Sequence, residues 1–137
     1  MRAKLPHRTG LLDTSVFVAI EQGRELDFGA LPTEQYVSTI TRGELVAGIH
    51  AAKDSHVRAD RLATMEALAG LTMLTIDSAA ASHWGRLRHA ITAAGKRPNV
   101  NDLWIASIAL ANDLPVVTQD RDFELLSDLG GPPIIYV

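Results

Sequence analysis

The stretch PNVNDLWIASIALANDLPVVTQD, residues 98–120, carries the pattern that decides the fold. Within it, Asn101 and Asp102 stand immediately before an apolar run whose residues recur at the spacing of one buried helix face. A capping-type residue at the start, and an Asn followed by Pro at the end, delimit this helix. A short apolar strand at 115–118 follows at once and leads to Asp120. The pattern thus predicts one carboxylate at the mouth of a buried helix and another just after a buried strand.

Short apolar runs and helical patterns alternate along the rest of the chain in the same way. The expected strands lie at 10–13, 36–38, 71–76, 115–118 and 134–137, and the expected helices at 16–20, 42–53, 55–69, 79–94, 102–110 and 122–129. Strands made of Leu, Ile and Val runs and separated by helices indicate a parallel sheet that is covered on both faces. We therefore predict a single domain over residues 1–137, a three-layer α/β/α fold with a central parallel sheet of four to five strands.

Length and composition limit the classes of function. The chain has 137 residues, a net charge of −3 and no cysteine, so disulfides, thiolate zinc sites and cysteine nucleophiles are excluded. The net charge neither favours nor excludes nucleic-acid binding, because charge can be segregated on a surface. No apolar run approaches the roughly 18 residues of a membrane span, and the first residues lack a signal-peptide core. A cytoplasmic protein without a membrane partner is expected.

Four acidic residues follow strands or begin helices in the predicted sheet. In open parallel sheets, functional groups gather outside the carboxyl ends of the strands. Asp13 follows the first strand, Glu44 lies in the first turn of the helix after the second, Asp102 heads the central helix and Asp120 follows the fourth strand. Such a group repels itself unless a hard cation binds, and oxygen ligands suit Mg²⁺, with Mn²⁺ as a substitute. The chemistry that this arrangement supports is in-line phosphodiester hydrolysis. Asp13 and Asp102 are expected to be the most direct ligands.

Each acidic residue taken alone also has a structural explanation. Asp13 and Asp102 are plausible helix caps, and Glu44 forms a capping box with Thr41. Asp120 and Asp122 can shape the turn before the last helix. These explanations account poorly for the coincidence of all four acids at equivalent positions. Four residues near these acids carry hydroxyl groups: Thr14, Ser15, Ser38 and Thr118. These hydroxyls could hydrogen-bond the carboxylates or simply cap backbone.

A basic patch precedes the central motif. It consists of Arg86, Arg88, Lys96 and Arg97. Such a patch has two interpretations: it is an ordinary solvated face, or it is a surface that binds an RNA backbone. Other catalytic designs fit badly, because the sequence has no histidine pair at metal-ligand spacing, no nucleophile elbow and no phosphate-binding glycine motif.

Four short motifs, in order and at matching spacing over residues 10–137, resemble the PIN-domain toxins of bacterial VapBC toxin–antitoxin pairs. They are Leu12-Asp13-Thr14-Ser15-Val16, Ser38-x-x-Thr41-x-x-Glu44-Leu45, Asn101-Asp102-Leu103-Trp104-Ile105-Ala106 and Val117-Thr118-Gln119-Asp120-x-Asp122-Phe123. The resemblance implies a Mg²⁺-dependent endoribonuclease of PIN-like fold, often acting on tRNA or rRNA. It implies by position that the acidic quartet is Asp13, Glu44, Asp102 and Asp120, with Asp122 as a supplement.

The resemblance also implies partners. These are an RNA substrate, a small VapB-type antitoxin that inhibits the enzyme, and assembly as a homodimer or a toxin–antitoxin hetero-oligomer. Two features depart from the family pattern. The usual Arg after the fourth-strand Thr is Gln119, and residues 1–9 form a basic leader for which disorder or a misassigned start are the two explanations. Apolar residues on the predicted helices 42–53 and 55–69 have two interpretations: all of them cover the sheet, or some line a groove between the two helices that accepts an antitoxin segment.

Two alternative functions remain open from the residues themselves. One is a Mg²⁺-dependent phosphatase or receiver-like domain, but a phosphatase of the haloacid type wants a second Asp where this chain has Ser15. A receiver wants paired acids at the first strand and a late strand-end Lys, and the sequence has neither. The other is a non-catalytic partner-binding module on the same fold, against which the full acidic quartet argues. Metal-dependent cleavage of mixed RNA separates these functions from a ribonuclease.

Overall fold

The computed structural model describes residues 8–137. The predicted leader 1–9 therefore lies mostly outside the described residues, and its last residue, Thr9, already belongs to the first strand. In chain order the elements are β1 (Thr9–Leu12), α1 (Thr14–Glu21), β2 (Glu34–Ser38), α2 (Thr39–Ala51), α3 (Ser55–Glu66), β3 (Thr72–Leu74), α4 (Ser78–Ala93), α5 (Val100–Ala111), β4 (Val116–Thr118), α6 (Phe123–Asp128) and β5 (Ile134–Tyr136). Two 3-10 turns, Phe28–Ala30 and Ala67–Gly70, complete them. None of the helices within residues 8–137 has the length and apolarity to cross a membrane.

The five strands form one parallel sheet in the order β3-β2-β1-β4-β5. This confirms the predicted three-layer α/β/α fold, and the sheet has five strands where four to five were expected. The chain moves from β1 outward to β2 and β3 on one side, and places β4 and β5 on the other. The order therefore reverses between β1 and β4, and at such a switch point the helices diverge and leave a crevice at the carboxyl ends of the strands.

Two apolar cores cover the two faces of the sheet. Adjacent residues of one strand point to opposite faces, so Leu11 packs with α4, α5 and α6, whereas Leu12 packs with α1 and α2. Val116 and Val117 of β4 divide in the same way. This alternation explains why the strands read as continuous apolar runs: both faces of each central strand are buried.

Helix α5 is the most deeply buried helix, as the opening pattern predicted. Seven of its residues are buried, and they include the acidic residue Asp102. Its outer side packs against α4, where the rings of Trp84 and Trp104 stack with their centroids 4.9 Å apart. A helix held on both sides in this way fixes the position of a carboxylate in its first turn.

Candidate active site

Asp13 ends the central strand and caps the helix that follows it. Its carboxylate accepts a hydrogen bond from the Ser15 amide at 3.3 Å and another from the Thr118 hydroxyl at 2.9 Å. The side chain is buried, with 4% exposed. Burial raises the pKa of the Asp13 carboxyl, although the hydrogen bonds from Ser15 and Thr118 act in the opposite direction. The capping role proposed as an alternative is real, and it leaves the carboxylate at the sheet edge.

Thr118, at the end of β4, connects the two strands that flank the crevice. Its hydroxyl donates to Asp13 and accepts from the Asp120 amide at 2.8 Å. The Ser15 hydroxyl lies 3.1 Å from it and accepts from the Gln119 amide. The Gln119 side chain turns away and donates to two backbone carbonyls, those of Glu25 and Val137. Thr118 therefore fixes both Asp13 and the turn that carries Asp120.

Replacing Thr118 by valine is expected to destabilise the protein by about 1–3 kcal/mol, because it leaves buried partners without their hydrogen bond. The RNA cleavage that the resemblance implies should also fall in this variant, since Asp13 and Asp120 lose their common anchor. Urea denaturation and a cleavage assay measure the two effects. Thr92→Val is the matched control, because Thr92 is exposed and, within residues 8–137, its hydroxyl bonds only to a carbonyl of its own helix. Equal effects of the two substitutions would contradict the anchoring role.

Glu44 reaches the same edge from α2. Because Ser38 caps this helix by accepting from the Thr41 amide, Glu44 lies in the second turn, not in the first as predicted. The prediction of a capping box between Thr41 and Glu44 is therefore wrong. The Glu44 carboxylate instead accepts from the Thr14 hydroxyl at 2.8 Å, and that hydroxyl also lies 2.9 Å from Thr41 Oγ1.

Asp102 is the third residue of α5 and does not cap it. Asn99 is the cap, and its side-chain oxygen accepts from the amides of Asn101 and Asp102. The Asp102 carboxylate is thus free of any capping role. It is only 8% exposed, and its Oδ2 has no hydrogen-bond partner among the described residues. Burial is the main cause that raises the pKa of Asp102 from 3.8 to about 7, and the neighbouring charges of Asp13, Asp120, Glu44 and Asp122 add to it.

Three carboxylates lie close enough to share one ion. Oxygens of Asp102, Asp120 and Asp122 are all within 4.8 Å of one another. The turn between the last two is closed by the Asp122 amide, which donates to Asp120 Oδ1 at 2.9 Å. Within residues 8–137, Asp13 and Glu44 are not part of this three-carboxylate group, but their charges act on Asp102. A buried carboxylate oxygen without a donor, surrounded by negative charge, fits a hard divalent cation.

Three members of the predicted basic patch have different surroundings. Arg86 bonds to the carbonyl of Gly130, and Arg88 lies over the Trp84 ring. Arg97 is the member that lines a cleft beside Asp102 and Asp122. The sequence analysis missed a second arginine of this cleft, Arg121, although it stands between the two aspartates of the fourth motif.

Comparisons with known proteins agree with this geometry. The family model for the PIN domain matches residues 10–129. Ribonuclease VapC5 of Mycobacterium tuberculosis is 44% identical over 93% of this chain and 95% of its own, and Ribonuclease VapC4 of the same organism is 36% identical over 89% and 94%. A crystal structure of VapBC-5, a member of the VapBC toxin–antitoxin family from the same organism, superposes with a TM-score of 0.87 and 42% identity, covering 94% of this chain and 98% of the other. The chain therefore belongs to the PIN-domain family, among the VapC ribonucleases.

Proposed function

We propose that this protein is a Mg²⁺-dependent endoribonuclease toxin that hydrolyses phosphodiester bonds of RNA, with tRNA or rRNA as its targets, and that a VapB-type antitoxin neutralises it. The observation that carries the metal dependence is the buried Asp102 carboxylate, which has four acidic neighbours and an oxygen without a hydrogen-bond partner in residues 8–137. Similarity to VapC ribonucleases favours RNA over the substrates of the phosphatase and receiver alternatives. RNA targets of this kind place its action in the cytoplasm.

The residues proposed to hold the ion are Asp102, Asp120 and Asp122, with Asp13 and Glu44 completing the acidic centre. When bound, Mg²⁺ supplies Lewis-acid chemistry at a phosphate and at an attacking water, and Mn²⁺ substitutes for it. The chain itself contributes the fixed positions of the carboxylates. Thr118 holds Asp13, and Thr14 holds Glu44. Such support keeps the acidic centre ordered despite the mutual repulsion of its charges.

Cleavage of mixed cellular RNA by the purified protein tests the proposal. Cleavage is expected with Mg²⁺ or Mn²⁺ and should stop in excess EDTA. A circular RNA substrate distinguishes an endonuclease, which cuts it, from an exonuclease, which does not. Undiminished cleavage in EDTA would refute metal dependence, and a well-folded protein that cuts no RNA under any of these conditions would favour the non-catalytic module.

The antitoxin has a candidate binding surface. Leu45 and Ile49 of α2 are buried, so these two residues offer an antitoxin no exposed surface, and the groove between α2 and α3 stays a prediction. An apolar cleft of about 530 Å³ opens where α1 faces α3 and the turn that follows it. We propose that an amphipathic antitoxin segment binds this α1–α3 cleft. The described relative VapBC-5 is itself a toxin–antitoxin pair, and a homodimer or a larger toxin–antitoxin assembly is expected here as well.

Ile20→Asp is expected to abolish antitoxin binding and leave cleavage intact. Ile20 lines the α1–α3 cleft and is 51% exposed, so a charge there costs the fold little but must be desolvated in the complex. Co-purification with the antitoxin and a cleavage assay measure both properties. Ile76→Asp is the matched control, since Ile76 is similarly exposed, at 42%, and does not line this cleft. A tight, inhibited complex of the Ile20 variant would contradict this location.

A further inference from the structure

The cleft beside Asp102 combines acidic side chains, which repel RNA, with two arginines. It has a volume of about 530 Å³ and lies between the start of α5 and helix α6. Its acidic lining residues are Asp102, Asp122, Glu124 and Asp128, and its basic ones are Arg97 and Arg121. A polyanion can enter such a cleft only where cations offset both its own charge and that of the carboxylates. The two arginines are the lining residues that supply positive charge.

Arg121 is held in a defined position. Its guanidinium lies over the ring of Tyr136, 4.1 Å from the ring centroid. Its Nη1 also donates to Glu124 Oε1 at 3.1 Å. A flat aromatic support restricts the orientation of a guanidinium without consuming its hydrogen-bond donors. Most donors of Arg121 therefore remain available to another acceptor.

The pair of Arg121 and Glu124 is well suited to exchange. The two side chains are 73% and 55% exposed, and exposed ion pairs of this kind contribute little to stability. A phosphate carries oxygens that match the planar donor pattern of a guanidinium better than one carboxylate oxygen does. Arg97 makes no ion pair with any residue from 8 to 137. Both arginines are thus free, at small cost, to bind an incoming anion.

We propose that Arg121 and Arg97 bind backbone phosphates of the RNA beside the acidic centre, and that Arg121 exchanges Glu124 for a phosphate when RNA binds. Tyr136 acts as a positioning residue for Arg121. The assignment rests on the proposed ribonuclease function and adds to it the side chains that hold the substrate. It also gives RNA phosphates two cationic partners beside the acidic centre, in a protein whose net charge is −3.

Arg121→Ala is expected to raise KM for RNA about tenfold while kcat changes less than about twofold, because a phosphate contact outside the reacting bond is lost. Arg97→Ala should act in the same direction. In EDTA, where cleavage is absent, each variant should bind single-stranded RNA more weakly, with the slope of log affinity against log salt reduced by about 0.7. Arg58→Ala is the control, since Arg58 is an exposed arginine on α3 that does not line the cleft.

Two further variants separate phosphate binding from a structural role. Glu124→Gln removes the competing carboxylate and should lower KM about twofold, opposite in sign to the arginine variants. Tyr136→Leu removes the aromatic support and should raise KM about threefold. Tyr136→Phe keeps the ring and should have the same KM as the wild type. A general loss of structure would raise KM in every variant and would not lower it in Glu124→Gln.

Two results would overturn the assignment. One is a KM and a salt slope for Arg121→Ala equal to those of Arg58→Ala. The other is a loss confined to kcat, which would assign Arg121 to the chemical step instead. If the wild-type protein cuts no RNA, the proposed function fails, and the binding measurements in EDTA then decide the arginine assignment by themselves.

Discussion

Asp102→Asn is expected to reduce RNA cleavage by about 10³-fold or more while the protein stays folded. Asparagine keeps the shape of the side chain but removes the charge that a divalent cation needs, and metal stabilisation of a phosphoryl transition state is worth several kcal/mol. Folding should survive, because Asn99 and not Asp102 caps α5. Single-turnover cleavage in saturating Mg²⁺ measures the loss, and circular dichroism measures the fold.

Asp113→Asn provides the matched control for this prediction. Asp113 lies just beyond the opposite end of α5, is exposed, and has a φ of 54°, a conformation that asparagine also adopts readily. Its cleavage should equal that of the wild type. Full activity of the Asp102 variant in Mg²⁺ would show that cleavage does not need the Asp102 charge, and it would leave the ribonuclease function itself standing.

The metal-free protein is expected to lose about 3 kcal/mol of unfolding free energy between about pH 5 and about pH 8. Burial is the main cause that raises the pKa of Asp102 from its ordinary value of 3.8 to about 7 in the folded protein. Between these two values the folded state holds a proton that the unfolded state has released. Stability therefore falls as the pH rises through this window, and the raised pKa of Asp13 acts in the same direction.

Urea denaturation in EDTA across this pH range measures the slope. Asp102→Asn should flatten it, because the variant has no proton to lose at this position. Added Mg²⁺ should restore stability at the alkaline end, by about 2.7 kcal/mol at a concentration of 100 times its Kd, because the ion binds the ionised carboxylates of the folded state alone. A metal-free protein whose stability rises from pH 5 to pH 8 would contradict the raised pKa of Asp102.

Local sequence patterns were sufficient to predict the fold. Both faces of the central strands are buried, so the strands appear as apolar runs, and the helices between them have their own caps and periodicity. The parallel sheet follows from this alternation. The arrival of Asp13, Glu44, Asp102 and Asp120 at one edge follows in turn, because the carboxyl ends of parallel strands share an edge. The family motifs pointed to the same acids through their order and spacing.

The caps of α2 and α5 could not be predicted to the residue, because several polar residues stand before each of these two helices and each is a competent cap. Whether Asn99 or Asp102 caps α5 depends on where the backbone leaves the helical conformation, and sequence patterns locate that point only to within a few residues. The same uncertainty produced the incorrect capping box at Glu44. In both places the tertiary structure freed the carboxylate for the site.

By itself, then, the sequence determined the alternation of strands and helices, the layers and the set of acidic residues. The tertiary structure alone decided that Asp122, and not Asp13, shares a three-carboxylate group with Asp102 and Asp120. It alone decided that Thr118 connects two strands and that the apolar cleft faces α1. It also brought Arg121 and Arg97 into one cleft from separate segments. The physical reason is that periodicity reports which face of an element is buried, whereas distances between side chains of different elements are set by sheet order and by packing of the elements against one another.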